Sequence, residues 1–283
     1  MRILVTGATG FIGRNLIPKL TKKHKIVCFV RKSSNLDFLK SQNVEFAFGD
    51  MLDANSLSAA LKKIDAVIHL ATPHVQGNEK SNILGSKNMI FACKKNKVKR
   101  IIYISSMATK RKILDDYGRV KLAIEHIFEN SNLDYTILRP SIIYSKNNLS
   151  LIGKSLMILP FIIPIIGSGR YKMNPVFIDD VTESIVGAVD RKKTIKKSYD
   201  VAGSENISFN EIIQICKKRF NIGKITFHIP KFLCLLIFRL LPIMSLESIK
   251  GIEEDSNADI TDLRKDLNSN PISFREGVKN VSL

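Results

Sequence analysis

Short apolar runs at 2–6, 25–30, 44–48, 65–71, 99–105 and 134–139 predict six strands in the first half of the chain. Between them apolar residues recur at helical spacing, as in Leu16, Ile17 and Leu20, in Leu57, Ala60 and Leu61, and in Ile90, Phe91 and Cys93. Strands that alternate with helices predict a parallel sheet covered on both faces, because each parallel neighbour needs a crossover. The pattern breaks after Tyr144. The stretch 155–167 is apolar but interrupted by Pro160 and Pro164. Val176-Phe177-Ile178 and Tyr199-Asp200-Val201 read as strands returning to the first sheet, and from Ser208 the chain reads as largely helical. The expected fold class is α/β: a doubly wound parallel sheet at 1–148 that also receives about 174–203. A smaller, mostly helical lobe takes 149–173 and 204–283.

With 283 residues, 45% of them hydrophobic, the chain can bury a substantial core. Charge changes the picture more: 44 Lys and Arg against 26 Asp and Glu give a net +18. The cations cluster where turns are expected, at 22–25, 94–100, 110–112 and 191–193, which is the pattern of solvated loop ends. No nucleic-acid partner is expected; an anionic cofactor, substrate or membrane surface is. Cys28, Cys93, Cys216 and Cys234 have no paired spacing and read as buried thiols of a reducing cytoplasm. The five histidines show no metal-ligand spacing, so no metal is expected. A strand at the start of the chain leaves no room for a signal peptide.

Residues 230–246 form an apolar run too short to span a bilayer and interrupted by Arg239 and Pro242. They read first as a helix buried in the small lobe or in a homodimer contact. The alternative is an interfacial helix in peripheral contact with the inner face of a membrane.

Candidate chemistry begins where the first strand ends. Gly7, Gly10 and Gly13 lie between strand 2–6 and the first helical pattern. A glycine turn in that place lets backbone approach a pyrophosphate, and the opening helix aims N–H groups and its positive dipole end at the charge. A dinucleotide is the expected ligand. The second strand ends at Val30 and is followed by Arg31 and Lys32. A carboxylate there would bond ribose hydroxyls and repel a 2′-phosphate, whereas Arg31 can clasp one, so NADP(H) is expected ahead of NAD(H). Asp50, after the third strand, is placed to accept from an adenine amino group, with the Met51 backbone beside it. Leu70, Ala71 and Thr72 end the fourth strand in small residues that would line the central ribose and phosphates.

Tyr117 and Lys121 stand four residues apart at the start of a helical pattern soon after the fifth strand, so phenol and ammonium share one face. A phenol is a poor base at neutral pH. A neighbouring cation lowers its pKa, and the same lysine can hold ribose hydroxyls.

Together these pieces resemble the extended and atypical branch of the short-chain dehydrogenase/reductase superfamily, the epimerase/dehydratase-like proteins. The resemblance rests on Thr-Gly-Ala-Thr-Gly-Phe-Ile-Gly at 6–13, Gly49-Asp50, His-Leu-Ala-Thr at 69–72 and Asn-Ile-Leu-Gly-Ser-Lys-Asn at 82–88. It continues through Tyr-Ile-Ser-Ser at 103–106, Tyr117 with Lys121, Leu-Arg-Pro-Ser-Ile-Ile-Tyr at 138–144 and Val-Phe-Ile-Asp-Asp-Val at 176–181. It implies a Rossmann-like domain with a small substrate lobe. It also implies cofactor contacts from Thr9, Phe11, Ile12 and Ser105, and packing of Pro140 to Ile143 against the nicotinamide.

Two departures qualify it. The family's third catalytic position, a Ser or Thr, falls on Met107, whose thioether cannot donate a proton; Ser106 or Thr109 is the available substitute. Only nine residues separate Met107 from Tyr117, where sugar-nucleotide epimerases carry a longer loop. Both departures, and the segment 166–181, resemble the subgroup around the NAD(P)H-binding accessory subunit of respiratory complex I. The sequence therefore supports two readings. One is an oxidoreductase or epimerase acting on a small hydroxyl or carbonyl substrate, such as a nucleotide sugar, a lipid-linked alcohol or a quinone-like carbonyl. The other is a non-catalytic NADP(H)-binding module for structure, assembly or redox sensing.

Overall fold

A computed structural model of the chain describes residues 1–71, 79–149, 152–153, 156, 159–240, 247 and 250–282, and of 237–240 the backbone alone. In chain order the strands of the first half are β1 (Arg2–Thr6), β2 (Lys25–Val30), β3 (Val44–Phe48), β4 (Ala66–His69), β5 (Arg100–Ile104) and β6 (Asp134–Pro140). They alternate with α1 (Phe11–Leu20), α2 (Asp37–Lys40), α3 (Ala54–Ala60), α4 (Glu79–Lys95) and α5 (Asp116–Glu129). The second half adds β7 (Ile143–Tyr144), β8 (Ile162–Ile166), β9 (Lys172–Met173), β10 (Val176–Phe177), α6 (Ile178–Asp190), β11 (Lys197–Val201) and β12 (Ile207–Ser208). It ends with α7 (Phe209–Arg219), β13 (Ile225–Ile229), α8 (Lys231–Leu240), α9 (Thr261–Leu267) and α10 (Phe274–Gly277).

Seven strands form one parallel sheet in the order β3-β2-β1-β4-β5-β6-β11, so the expected doubly wound α/β architecture is present. Successive strand residues go to opposite faces. Ile3, Val5, Ile68 and Ile102 pack with Leu16, Ile17, Val181, Ile185, Leu263 and Leu267 on one side. Leu4, Val67, Ile101 and Tyr103 pack with Leu57, Met89, Cys93, Ile124 and Phe128 on the other. Each such fully buried aliphatic side chain contributes about 1.5–3 kcal/mol. All four cysteines are buried free thiols.

Of the two later segments expected in this sheet, only Tyr199-Asp200-Val201 joins it, in β11. Val176 and Phe177 form β10, which pairs with β7 outside the sheet. The reason is edge competition: β5 and β11 already occupy both edges of β6, and the chain reaches β7 only after Pro140 has ended the ladder. Leu263 and Leu267 of α9 pack under the main sheet, although their part of the chain was expected in the small lobe. That lobe has its own core, in which Tyr144, Ile163, Ile165, Phe209, Ile212, Cys216 and Phe274 meet. Helix α7 in it opens on a reciprocal capping box between Ser208 and Glu211. The lobe also contains the parallel pair β8–β13, whose second strand falls in the stretch that reads as largely helical from Ser208 onward.

Candidate dinucleotide and catalytic site

A cavity of about 490 Å³ opens at the carboxyl ends of β1 to β4, beside the point where the strand order reverses between β1 and β4. Thr6, Gly7, Ala8, Thr9 and Gly10 form its floor. Gly7 has φ +70, a left-handed conformation that favours glycine, and a Cβ there would stand 3.0 Å from the Ala71 nitrogen. At Gly13 a Cβ would lie 2.5 Å from the Ala8 carbonyl oxygen, so the turn and α1 touch only because that side chain is missing. The N-cap of α1 is Gly10, with no side chain to satisfy the first N–H groups of the helix. These features fit a pyrophosphate at a helix N-terminus.

Of the other residues expected at a cofactor, Arg31, Asp50, Met51, Leu70 and Ala71 line the same cavity. Arg31 is exposed there, while Lys32 is not among the lining residues. Asp50 accepts the Leu52 N–H through Oδ1 at 2.8 Å, so one carboxylate oxygen shapes its own turn. Phe11, Ile12 and Gly13 open α1, Pro140 ends β6 and Ile143 begins β7; none of these five is a lining residue. Thr72 lies outside the described residues. Reasoning from the strand ends missed Phe29, Ser34 and Ser81, whose positions carry no motif, and also Asn82 and Gly85, which stand in the 82–88 motif.

The end of β4 is tied to β1 and α4 by a buried chain of donors. Ser86 donates to the Asn82 carbonyl at 3.0 Å, so its oxygen accepts from His69 Nε2 at 3.2 Å. His69 Nδ1 is then the acceptor for the Thr6 hydroxyl at 2.9 Å, and Thr6 in turn accepts the Ala71 N–H at 3.2 Å. Burial first, then the nearby Lys121 charge, pushes His69 down to about 3, so this imidazole is neutral.

Tyr117 and Lys121 gather beyond the end of β5. Asp115 caps α5 by accepting the Gly118 N–H at 2.8 Å, and a Cβ on Gly118 would sit 3.0 Å from the Ala108 oxygen. That close approach brings the start of α5 against the 3-10 turn Met107–Lys110. Tyr117 is half-buried, and the Ser106 hydroxyl, which accepts the Ala108 N–H at 3.2 Å, is the side chain that works against the rise of its phenol. Thr109, the other available hydroxyl, instead donates to the Ser106 carbonyl at 2.9 Å and is buried with Met107.

Lys121 is almost fully buried. Its Nζ donates to the Ile104 carbonyl at 2.8 Å and lies 5.1 Å from the Tyr103 ring centre and 5.7 Å from that of Tyr117. Burial pushes it down to about 7 against the opposing pull of Glu125. The expected lowering of the Tyr117 phenol is not present: burial raises it, the Ser106 side chain opposes this, and Asp115 adds to the rise. The ammonium points at a main-chain carbonyl under the rings, and desolvation outweighs it.

Glu125 continues the same helix stripe. It accepts from Arg139 in a forked pair, with Nη2 at 2.6 Å and Nε at 3.0 Å, and also from the Ser105 hydroxyl. Ser105 gives its N–H to the Leu138 carbonyl at 2.8 Å as well, so its side chain and amide both face inward. Among the described residues no group of His, Cys, Asp and Glu could hold a metal ion.

A glycine cradle at the switch point of a parallel sheet, with a tyrosine and lysine on the helix after β5, defines a Rossmann-type dinucleotide-binding protein. The family model described as NAD(P)H-binding matches residues 7–153, and the chain belongs to that family. Its relatives and structural neighbours lie in the extended short-chain dehydrogenase/reductase superfamily. The photosystem II assembly factor Ycf39 of Synechocystis is 29% identical over 229 residues, 77% of this chain and 67% of that protein. NADH dehydrogenase [ubiquinone] 1 alpha subcomplex subunit 9 of Arabidopsis thaliana is 27% identical over 225 residues, 75% of this chain and 56% of that one. The crystal structure of UDP-glucuronic acid 4-epimerase from Bacillus cereus with UDP-glucuronic acid and NAD superposes with a TM-score of 0.77. It is 25% identical and covers 99% of this chain and 97% of that chain.

Proposed function

We propose that the protein is an NADP(H)-preferring oxidoreductase or epimerase/dehydratase-type enzyme of the cytoplasm, acting on a small hydroxyl or carbonyl substrate. The observation that carries this reading is the buried Lys121 ammonium 5.7 Å from the Tyr117 ring centre, with Ser106 the side chain that opposes the rise of that phenol. A bound nicotinamide dinucleotide supplies the hydride donor or acceptor. Tyr117 exchanges a proton with the substrate oxygen, and Ser106 orients the phenol and takes the place of the hydroxyl missing at Met107. Lys121, held on the Ile104 carbonyl beneath the tyrosine ring, stabilises a developing phenolate in its charged form. Arg31, exposed at the adenosine end of the cavity, receives a 2′-phosphate; NAD(H) binds more weakly for want of it. The bound UDP-glucuronic acid of the epimerase neighbour makes nucleotide sugars one substrate class to test, beside lipid-linked alcohols and quinone-like carbonyls. The experiment is NADPH oxidation against a panel of such carbonyls, run in parallel on Tyr117→Phe.

A second reading has its own support. Met107 is buried where the superfamily carries a hydroxyl, and one relative is named as an assembly factor. On that reading the protein is a non-catalytic NADP(H)-binding module for assembly or redox sensing. NADPH bound tightly but never oxidised, with Tyr117→Phe indistinguishable from wild type, is its signature.

A further inference from the structure

The two-stranded parallel ribbon β8–β13 turns Ile163 and Ile165 into the core of the small lobe. Its other face is made of the partners Ile162 and Ile225, Pro164 and Phe227, and Ile166 and Ile229, an unbroken set of apolar side chains. Parallel strands are normally covered on both faces. Here Ile225 is 71% exposed and Phe227 56%, and Phe161, whose carbonyl accepts the Ile225 N–H, is 80% exposed. The chain leaves β13 through Pro230 into α8, whose apolar run reads first as a buried or dimer-contact helix and alternatively as an interfacial one. In the described part of that helix Cys234 alone is buried, whereas Phe232 is 71% exposed and Leu236, one turn on, 58%. Residues 241–246 of the same apolar run lie outside the described residues.

Charge decides what covers this surface. The two stretches that carry it, 159–178 and 212–236, hold two and five Lys or Arg respectively and no Asp or Glu. Lys218 and Arg219 at the end of α7 are exposed. Lys231 and Glu253, 3.6 Å apart, offset one another, which leaves the other cations in excess. A second copy would bring the same acid-free, basic stretches face to face and be repelled. Apolar anchors among cations match an anionic bilayer surface, where the anchors enter the acyl boundary and the cations meet headgroups. Among the described residues no helix is long and apolar enough to cross a membrane.

We infer that the face formed by Phe161, Ile225, Phe227, Phe232 and Leu236 docks the protein peripherally on an anionic lipid bilayer. None of these residues lines the dinucleotide cavity, so the surface does not depend on turnover.

The test is flotation of the full chain with phosphatidylcholine vesicles, with and without about a third phosphatidylglycerol, beside the double variant Phe227→Ser/Phe232→Ser. The expected result is binding to the anionic vesicles alone, weakened by salt. In the variant binding falls at least about tenfold while its NADPH affinity stays at the wild-type value. Three results overturn the inference. They are no wild-type flotation with anionic vesicles, equal flotation of the double variant, and a dimer in sedimentation that the double variant abolishes.

Discussion

Lys121 donates to the main-chain carbonyl of Ile104 at 2.8 Å, so its ammonium is anchored on the end of β5, 5.7 Å from the ring centre of Tyr117. The arrangement holds α5 against the strand that precedes the Ser106 turn. It also buries a group that discharges near neutrality. Unfolded, Lys121 titrates near 10.5, and folded near 7. Between those values the unfolded chain binds the extra proton, so this group makes stability rise with pH. Below 7 both states are charged and the full cost of burying the ammonium remains. Lys121→Met is therefore expected to melt above wild type by several degrees near pH 6, with the difference shrinking towards pH 10. Thermal melts across that range check it; a difference independent of pH contradicts it.

Arg31 is the exposed cation of the dinucleotide cavity. Arg31→Ser is expected to weaken NADPH about 10–100-fold and to change NADH less than about threefold, as befits loss of a charge-assisted, forked contact to a phosphate. Titration of nicotinamide fluorescence measures both, and the chain has no tryptophan to interfere. Equal losses for the two cofactors would move the preference elsewhere.

Gly13 lets the glycine turn lie on α1. The clash of a Cβ at 2.5 Å is with backbone of Ala8, which cannot swing aside as a side chain does. Gly13→Ala is expected to weaken either dinucleotide at least about tenfold, through a shifted turn. The same fluorescence titration reads this, with circular dichroism as the control for folding.

Glu125 of α5 and Arg139 of β6 form a forked ion pair, with Glu125 1% exposed. Arg139→Leu leaves that carboxylate uncompensated and is expected to cost about 3–5 kcal/mol. Glu125→Leu/Arg139→Leu removes both charges and is expected to recover most of the loss. Denaturant unfolding of the two variants provides the comparison.

Much of the fold was legible because its strands are local and strongly apolar. The runs at 2–6, 25–30 and 44–48 are strands with those bounds, and the others shift by only a few residues. What failed was non-local. Val176 and Phe177 read as strand, but which partner they find depends on β5 and β11 flanking β6. The alternation Ile225-Thr-Phe-His-Ile gave a strand signal of its own and was masked by helical surroundings. At the site, the helix stripe of Tyr117, Lys121 and Glu125 is readable as i, i+4, i+8, but the Arg139 partner requires knowing that β6 lies beside β5. Ser106 and Thr109 could not be separated by spacing. The 3-10 turn separates them by turning Thr109 back onto its own backbone. The sign of the Tyr117 shift depends on burial, which no spacing reveals.

The most direct test of the account is a single-turnover measurement of NADPH oxidation with a carbonyl substrate from the panel, comparing wild type with Tyr117→Phe. The predicted result is a rate at least about 100-fold lower in Tyr117→Phe at an NADPH affinity within about threefold of wild type. Oxidation at the same rate in both proteins contradicts the role given to Tyr117, and its absence from wild type across the whole panel contradicts the enzyme reading.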